Sequence, residues 1–138
     1  MSYSFVTTGK DDGVGSYATP HGAFLVSFTR PYMLFTRHAR PGDKVLPGRP
    51  DLAIGGQANY AVRFSGGAYL HGIPVNTGAG EGAKAYTASK IGTYRESHKC
   101  VRHYDDQIKF IYDWLGNSTP GNENGYRVPS VPTAVIVK

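Results

Sequence analysis

The chain has 138 residues, 40% of them hydrophobic and 18% charged, with 15 Lys and Arg against 10 Asp and Glu for a net charge of +5. That length suits one domain with one core, and that composition excludes a coiled coil and a charged disordered tail. No apolar run reaches the roughly 20 residues that a membrane-spanning helix needs, and Met1-Ser2-Tyr3-Ser4-Phe5 has neither the basic start nor the apolar core of a signal peptide. Eighteen Gly and nine Pro predict many turns, and ten Tyr favour strands over helices. The basic balance suits polyanionic surroundings such as nucleic acid, anionic lipid or cell-wall polymer, or simply a basic soluble surface.

The predicted elements begin with a short strand at Ser4–Thr8 and a turn at Lys10-Asp11-Asp12-Gly13. Gly22–Phe28 alternates Phe24, Val26 and Phe28 against Ala23, Leu25 and Ser27, a strand with period two. Arg37–Pro50, with Pro41-Gly42 and Pro47-Gly48, reads as an irregular loop, and Gly55-Gly56-Gln57 as a turn. Tyr60–Phe64 and Ala68–Leu70 form a strand pair around a Ser65-Gly66-Gly67 turn. Asn76–Ala88 alternates glycine with small residues and reads as an exposed loop. It lacks the Gly-Lys-Ser/Thr step of a phosphate loop, since Ala85 follows Lys84. One helix stands out at Tyr104–Leu115, with Ile108, Ile111, Tyr112 and Leu115 on one stripe, Asp105 and Asp106 in its first turn and Gly116 ending it. Asn117–Gly125 is loop, and Thr133–Lys138 is a buried strand around Val135, Ile136 and Val137. One helix among many strands makes the fold mainly β.

A single cysteine, Cys100, rules out an intramolecular disulfide and a four-cysteine zinc site. Two readings of it stand: a small buried hydrophobe, or a thiol activated by His98, Lys99, Arg102 and His103, all within three residues, and by the helix that follows. A thiol nucleophile needs a base. The candidates are His21, His38, His71, His98 and His103, and His71 leads, because it ends a strand beside Gly72. His98, Cys100 and His103 together make a poor metal set, so no metal is expected.

Leu70-His71-Gly72, then Ser97-His98-Lys99-Cys100-Val101-Arg102, resembles the His-Gly … Ser-His-Gly-Cys-Val-Arg signature of the L,D-transpeptidase (YkuD-type) catalytic domain. Thr7-Thr8-Gly9-Lys10 and Ala18-Thr19-Pro20-His21-Gly22-Ala23-Phe24 resemble that family's first strand pair, and Tyr112-Asp113-Trp114-Leu115 its helix after the cysteine. Three departures accompany the resemblance. Lys99 replaces the motif glycine, 25 residues rather than fewer separate His71 from Ser97, and the family's first strand hairpin has no counterpart before Ser4. A Lys at a backbone site needing positive φ would be strained. The surplus residues are expected to loop out over Gly78–Lys84.

The resemblance implies a β-sandwich or open barrel over residues 1–138 as one catalytic domain. It implies a cysteine acyltransferase acting on peptidoglycan stem peptides outside the cytoplasm, forming 3→3 cross-links, or an L,D-carboxypeptidase when water is the acceptor. Cys100 would be the nucleophile and His71 the base, with His98 also in the catalytic set. Gly72, Ser97, Lys99 and Arg102 would serve the oxyanion and the substrate, without metal or organic cofactor. Carbapenems would be inhibitors, and neither nucleic acid nor a membrane span is implied. A catalytically impaired wall-binding module is the alternative, because Lys99 breaks the motif. A nucleic-acid binder using the Arg37, Arg40, Lys44 and Arg49 run is a third.

Overall fold

The computed structural model of the protein describes residues 6–9, 18–76, 81–93, 97, 99–118 and 125–138. In chain order its elements are β1 (Gly22–Leu25), β2 (Phe28–His38), β3 (Val45–Leu46), β4 (Arg49–Ser65), β5 (Ala68–His71), β6 (Val75–Asn76), α1 (Glu81–Ser89), β7 (Val101–Arg102), α2 (Asp105–Trp114), β8 (Asn117–Ser118), β9 (Val128–Pro129) and β10 (Ala134–Val137). Strand exceeds helix 48% to 17%, and the sheets stay open rather than closing into a barrel. The mainly β expectation holds.

The main sheet runs β2-β4-β5-β7, with β3 and β6 both paired to β4. Every pairing is antiparallel except the last, in which Leu70 sits beside Val101 and His71 beside Arg102 in parallel register. Side chains alternate across a sheet. Val62, Phe64, Ala68, Leu70 and Val101 therefore face one way, into a core completed by the fully buried Ile108 of α2 and Leu115 at its C-cap. Arg63, Tyr69, His71 and Arg102 fall on the opposite face. Burying each large aliphatic side chain of that core contributes about 1.5–3 kcal/mol.

The helix behaves as its stripe requires. Asp105 and Asp106 occupy its first turn, and Gly116 follows the cap residue Leu115 at φ 58, a left-handed conformation that favours glycine. The turn at Gly66 and Gly67 also forms as expected, with Gly67 at φ 74.

Other expectations need correcting. Arg37–Pro50 is not an irregular loop: β2 continues to His38, β3 occupies Val45–Leu46 and β4 starts at Arg49. The Pro-Gly pairs mark only tight reversals, and Arg37 holds one of them by a forked bond to Asp43, at 2.6 and 2.9 Å. Gly55-Gly56-Gln57 is not a turn but lies inside β4. Phe35 pairs with Gly56 and Thr36 with Ile54, leaving Gly55 as the extra residue of a bulge. A Cβ on Gly56 would stand 2.7 Å from the Val75 carbonyl oxygen, so glycine lets β6 approach. The Asn76–Ala88 loop is instead largely α1, because Ala83, Ala85 and Ala88 supply helix propensity that the nearby glycines obscure. Residues 77–80 lie outside the described residues, as do the Lys10–Gly13 turn and the first residues of the Ser4–Thr8 strand. Thr7 and Gly9 make single bridges to Arg102 and Ser97.

The Gly22–Phe28 strand breaks at Val26-Ser27, dividing β1 from β2. The closing strand β10 is half-buried rather than buried. Among the described residues it pairs only with β1, and Ile136 is 67% exposed while Val135 and Val137 pack on the core.

Ile108 is the most enclosed aliphatic side chain of α2. Ile108→Ala should lower unfolding free energy by about 2–5 kcal/mol, read as a lower urea midpoint at unchanged slope.

Candidate active site

His71 ends β5 and is 1% exposed. Its Nδ1 lies 2.7 Å from the Gly72 carbonyl oxygen, and its own carbonyl accepts the His103 amide at 2.9 Å. A carbonyl oxygen only accepts, so the bond requires Nδ1 to carry the hydrogen. In the neutral ring Nε2 then holds a lone pair. Burial, together with the positive charge of Arg102, lowers the His71 pKa from 6.5 to about 4 despite the Gly72 bond. The edge of the Phe35 ring packs on the imidazole, with centroids 5.3 Å apart.

Gly72 is required by space rather than by φ. A Cβ there would stand 2.8 Å from the Asn59 carbonyl oxygen and would overlap Asp105 Oδ1. Asn59 accepts the Gly72 amide at 2.8 Å, just before Tyr60 bends β4 at φ 50. Asp105 Oδ1 accepts the Ile73 amide at 2.9 Å, and its Oδ2 meets Asn59 Nδ2 at 3.1 Å and Lys84 Nζ at 2.8 Å. Burial pushes the Asp105 carboxyl up, but Lys84 and these donors outweigh it and hold its pKa below the usual value. One carboxylate thus ties α1, α2, β4 and the exit of β5 together. A groove of about 340 Å³, lined by Ile54, Gly56, Gln57, Asn59, Ile73 and Val75, passes beside this junction.

Cys100 immediately precedes β7. Because His71 registers with Arg102, and Cys100 lies two residues earlier on that strand line, Cys100, Arg102, Tyr69 and His71 share one face of adjacent strands. Its thiol lies 4.0 Å from the Gly67 carbonyl oxygen. The expected lowering of its pKa by a helix N-terminus does not occur. Cys100 is 5% exposed and separated from α2 by β7, and burial pushes the thiol up, against the Tyr69 amide and the Arg102 charge, which pull it down.

The remaining sequence-derived candidates are placed as follows. Ser97 is buried, its amide bonded to the Thr8 carbonyl at 3.1 Å. Lys99 is exposed at φ 63, the left-handed region that the motif glycine would occupy freely. Arg102 exchanges two backbone bonds with Thr7, at 2.8 and 3.0 Å, and bears electrostatically on both His71 and Cys100. His98 lies outside the described residues. His103 is buried, its pKa lowered to about 4 by burial and by His71. Asp105, Asn59, Phe35 and Tyr69 escaped the sequence reading. Asp105 was visible only as a first-turn acid, and the other three contribute through tertiary contacts. Among the described residues no cluster of His, Cys, Asp or Glu is arranged to hold a metal ion.

Three stability measurements check this geometry. Lys99→Gly removes a strained side chain and should raise stability by about 1 kcal/mol, whereas Gly72→Ala, which has no room, should lower it. His71 and His103 have depressed folded pKa values, so the unfolded chain binds more protons between pH 6.5 and about 4. Stability is fully present above pH 6.5 and should fall as pH drops toward 4, seen as a declining melting temperature.

A family profile for the L,D-transpeptidase catalytic domain (YkuD) matches residues 1–135. An L,D-transpeptidase from Mycobacterium smegmatis superposes with a TM-score of 0.60 at 20% identity, over 100% of this chain and 49% of that one. The LD transpeptidase LdtMt1 in complex with imipenem superposes at 0.54 and 19% identity, over 83% of this chain and 44% of that one. The chain thus spans about half the length of these solved structures, whose likeness is one of fold. No curated protein matches the sequence significantly.

Proposed function

The chain belongs to the L,D-transpeptidase catalytic domain family, and from that premise we propose that it is a cysteine acyltransferase acting on peptidoglycan stem peptides, with residues 1–138 forming one catalytic domain. The observation that carries this reading is the Nδ1 bond of His71 to the Gly72 carbonyl, on the strand neighbouring Cys100 and on the same sheet face. It leaves Nε2 as the free base of a neutral imidazole, turned to a chemistry that needs a proton acceptor beside a thiol.

In the proposed cycle the Cys100 S–H proton passes to His71 Nε2 as sulfur attacks the donor carbonyl. The raised thiol pKa fits proton removal during attack better than a resting thiolate. Backbone N–H groups of residues 98–100 are the proposed oxyanion donors. The imidazolium returns its proton to the departing amine, leaving a thioester on Cys100. An acceptor amine, or water, then attacks the thioester carbonyl as its proton passes to His71; the C–S bond breaks, the acyl group leaves on the acceptor, and the imidazolium returns the proton to sulfur, restoring the thiol. Ser97 and Arg102 are proposed to hold the cysteine segment, Arg102 by bonding to Thr7 and by its charge beside the thiol. No metal or organic cofactor enters these steps. Carbapenems would acylate the same sulfur, as the imipenem complex of one structural neighbour suggests. The proposed site of action is the cell wall. No helix among the described residues is long and apolar enough to cross a membrane.

The impaired-module alternative drew on Lys99. Its φ of 63 keeps the backbone where a glycine would put it, which supports retained oxyanion geometry and so favours the enzyme.

Intact-mass measurement after meropenem addition tests the reading. The parent chain should gain one adduct and Cys100→Ala none. His71→Ala should acylate about 10²–10⁴ times more slowly. An adduct on Cys100→Ala would remove the nucleophile assignment.

A further inference from the structure

On the sheet face that Cys100 shares, opposite α2, β4 and β2 carry two arginines with an unusual setting. Arg63 stacks its guanidinium over Phe28 at 5.1 Å, and Arg30 lies over Tyr126 at 4.5 Å and Tyr32 at 5.3 Å. Phe28 packs edge-on against Tyr126 at 4.5 Å and against Tyr69 at 6.1 Å. Tyr69 is the link to the thiol: its amide bears on Cys100, and its hydroxyl feels Arg63, Arg30 and Cys100 together. The described ion pairs use Arg37, Arg49, Lys84 and Lys109, and none pairs a carboxylate with Arg30 or Arg63. Arg30 Nε is buried without a hydrogen-bond acceptor among the described residues.

Half-buried guanidinium groups with no counter-ion among the described residues are costly unless a ligand supplies one. Stacking on rings fixes the planar forks and leaves their N–H edges for a planar, bidentate acceptor. We propose that Arg30 and Arg63 form a carboxylate-binding shelf that recognises a free carboxylate on the acyl donor while its scissile carbonyl sits at Cys100. The shelf discriminates donors carrying that carboxylate from those in which it is amidated. This rests on the acyl-transfer reading of Cys100, and it adds a specificity element on β2 and β4, outside the His71–Cys100 strands.

Two experiments separate the shelf from that reading. Parent, Arg30→Gln and Arg63→Gln chains are alkylated at Cys100 with iodoacetate and with iodoacetamide, followed by intact mass. The ratio of the two rates cancels changes in thiol reactivity and isolates recognition of the carboxylate. It should fall about tenfold in either variant, the scale of one lost charge-assisted bond. Equal ratios in all three chains overturn the shelf, whatever the enzyme does. If Arg30→Gln does not fold, Arg30→Lys keeps the charge, loses the fork and should still lower the ratio. Next, kcat/KM is compared for a stem tetrapeptide with free carboxylates and for its amidated counterpart. Preference for the free form should drop about tenfold in Arg63→Gln, and an unchanged preference overturns the proposal. If neither peptide nor meropenem acylates Cys100, the acyl-transfer reading fails while the alkylation ratio still decides the shelf. Protection of Cys100 from iodoacetate by inorganic phosphate at lower concentration than by acetate overturns the carboxylate assignment in favour of a phosphate.

Discussion

The parallel pairing of β5 with β7 is the constraint on which the rest of the structure depends. It is short, two residues from each strand. Yet it sets the face on which these side chains lie: Leu70 and Val101 go to the core under α2, while His71, Cys100 and Arg102 go to the other side. A slip of one residue would exchange the two sets, burying a charge in the core and exposing aliphatic surface. The core therefore fixes the register, and the register fixes the chemistry.

That chemistry is held in its neutral form. His71, His103 and Cys100 are all enclosed, and for each burial is the largest influence, favouring the uncharged state. Charge enters from the edges: Arg102 along the same strand, Asp105 and Lys84 at the junction below Gly72, Arg30 and Arg63 across the sheet. In the proposed cycle a neutral imidazole and a neutral thiol store no ion pair, so the proton would move as the sulfur attacks rather than in advance.

Much of this was legible in the chain. The stripe Ile108, Ile111, Tyr112 and Leu115 specifies α2 because the helical period is local and strong. The Ala68–His71 strand and its glycine turn are equally local. The His-Gly and Cys-Val-Arg segments mark the family and lie on adjacent strands. What was illegible is tertiary or ambiguous in composition. Gly55 reads as a turn residue until Phe35 and Thr36 are paired across it. The alanines of α1 are hidden among glycines. Asp105 looks like an acid placed for the helix dipole. It instead spends both oxygens on Ile73, Asn59 and Lys84, which no spacing in the sequence announces. The direction of the thiol pKa is illegible for the same reason: neighbouring cations are visible in sequence, and enclosure is not.

The β1–β10 pair joins Gly22 to Val137, and Thr7 is bonded to Arg102. Contacts between such distant positions give nothing back until the intervening chain has been ordered, and loop closure must be met first. During synthesis the segment carrying Cys100 therefore leaves the ribosome before β10 exists to cover Phe24 and Val26. The apolar side of β1 is therefore covered only late in folding. A chain halted short of β10 would leave Phe24 and Val26 bare, apolar surface of the kind a cell's quality control detects.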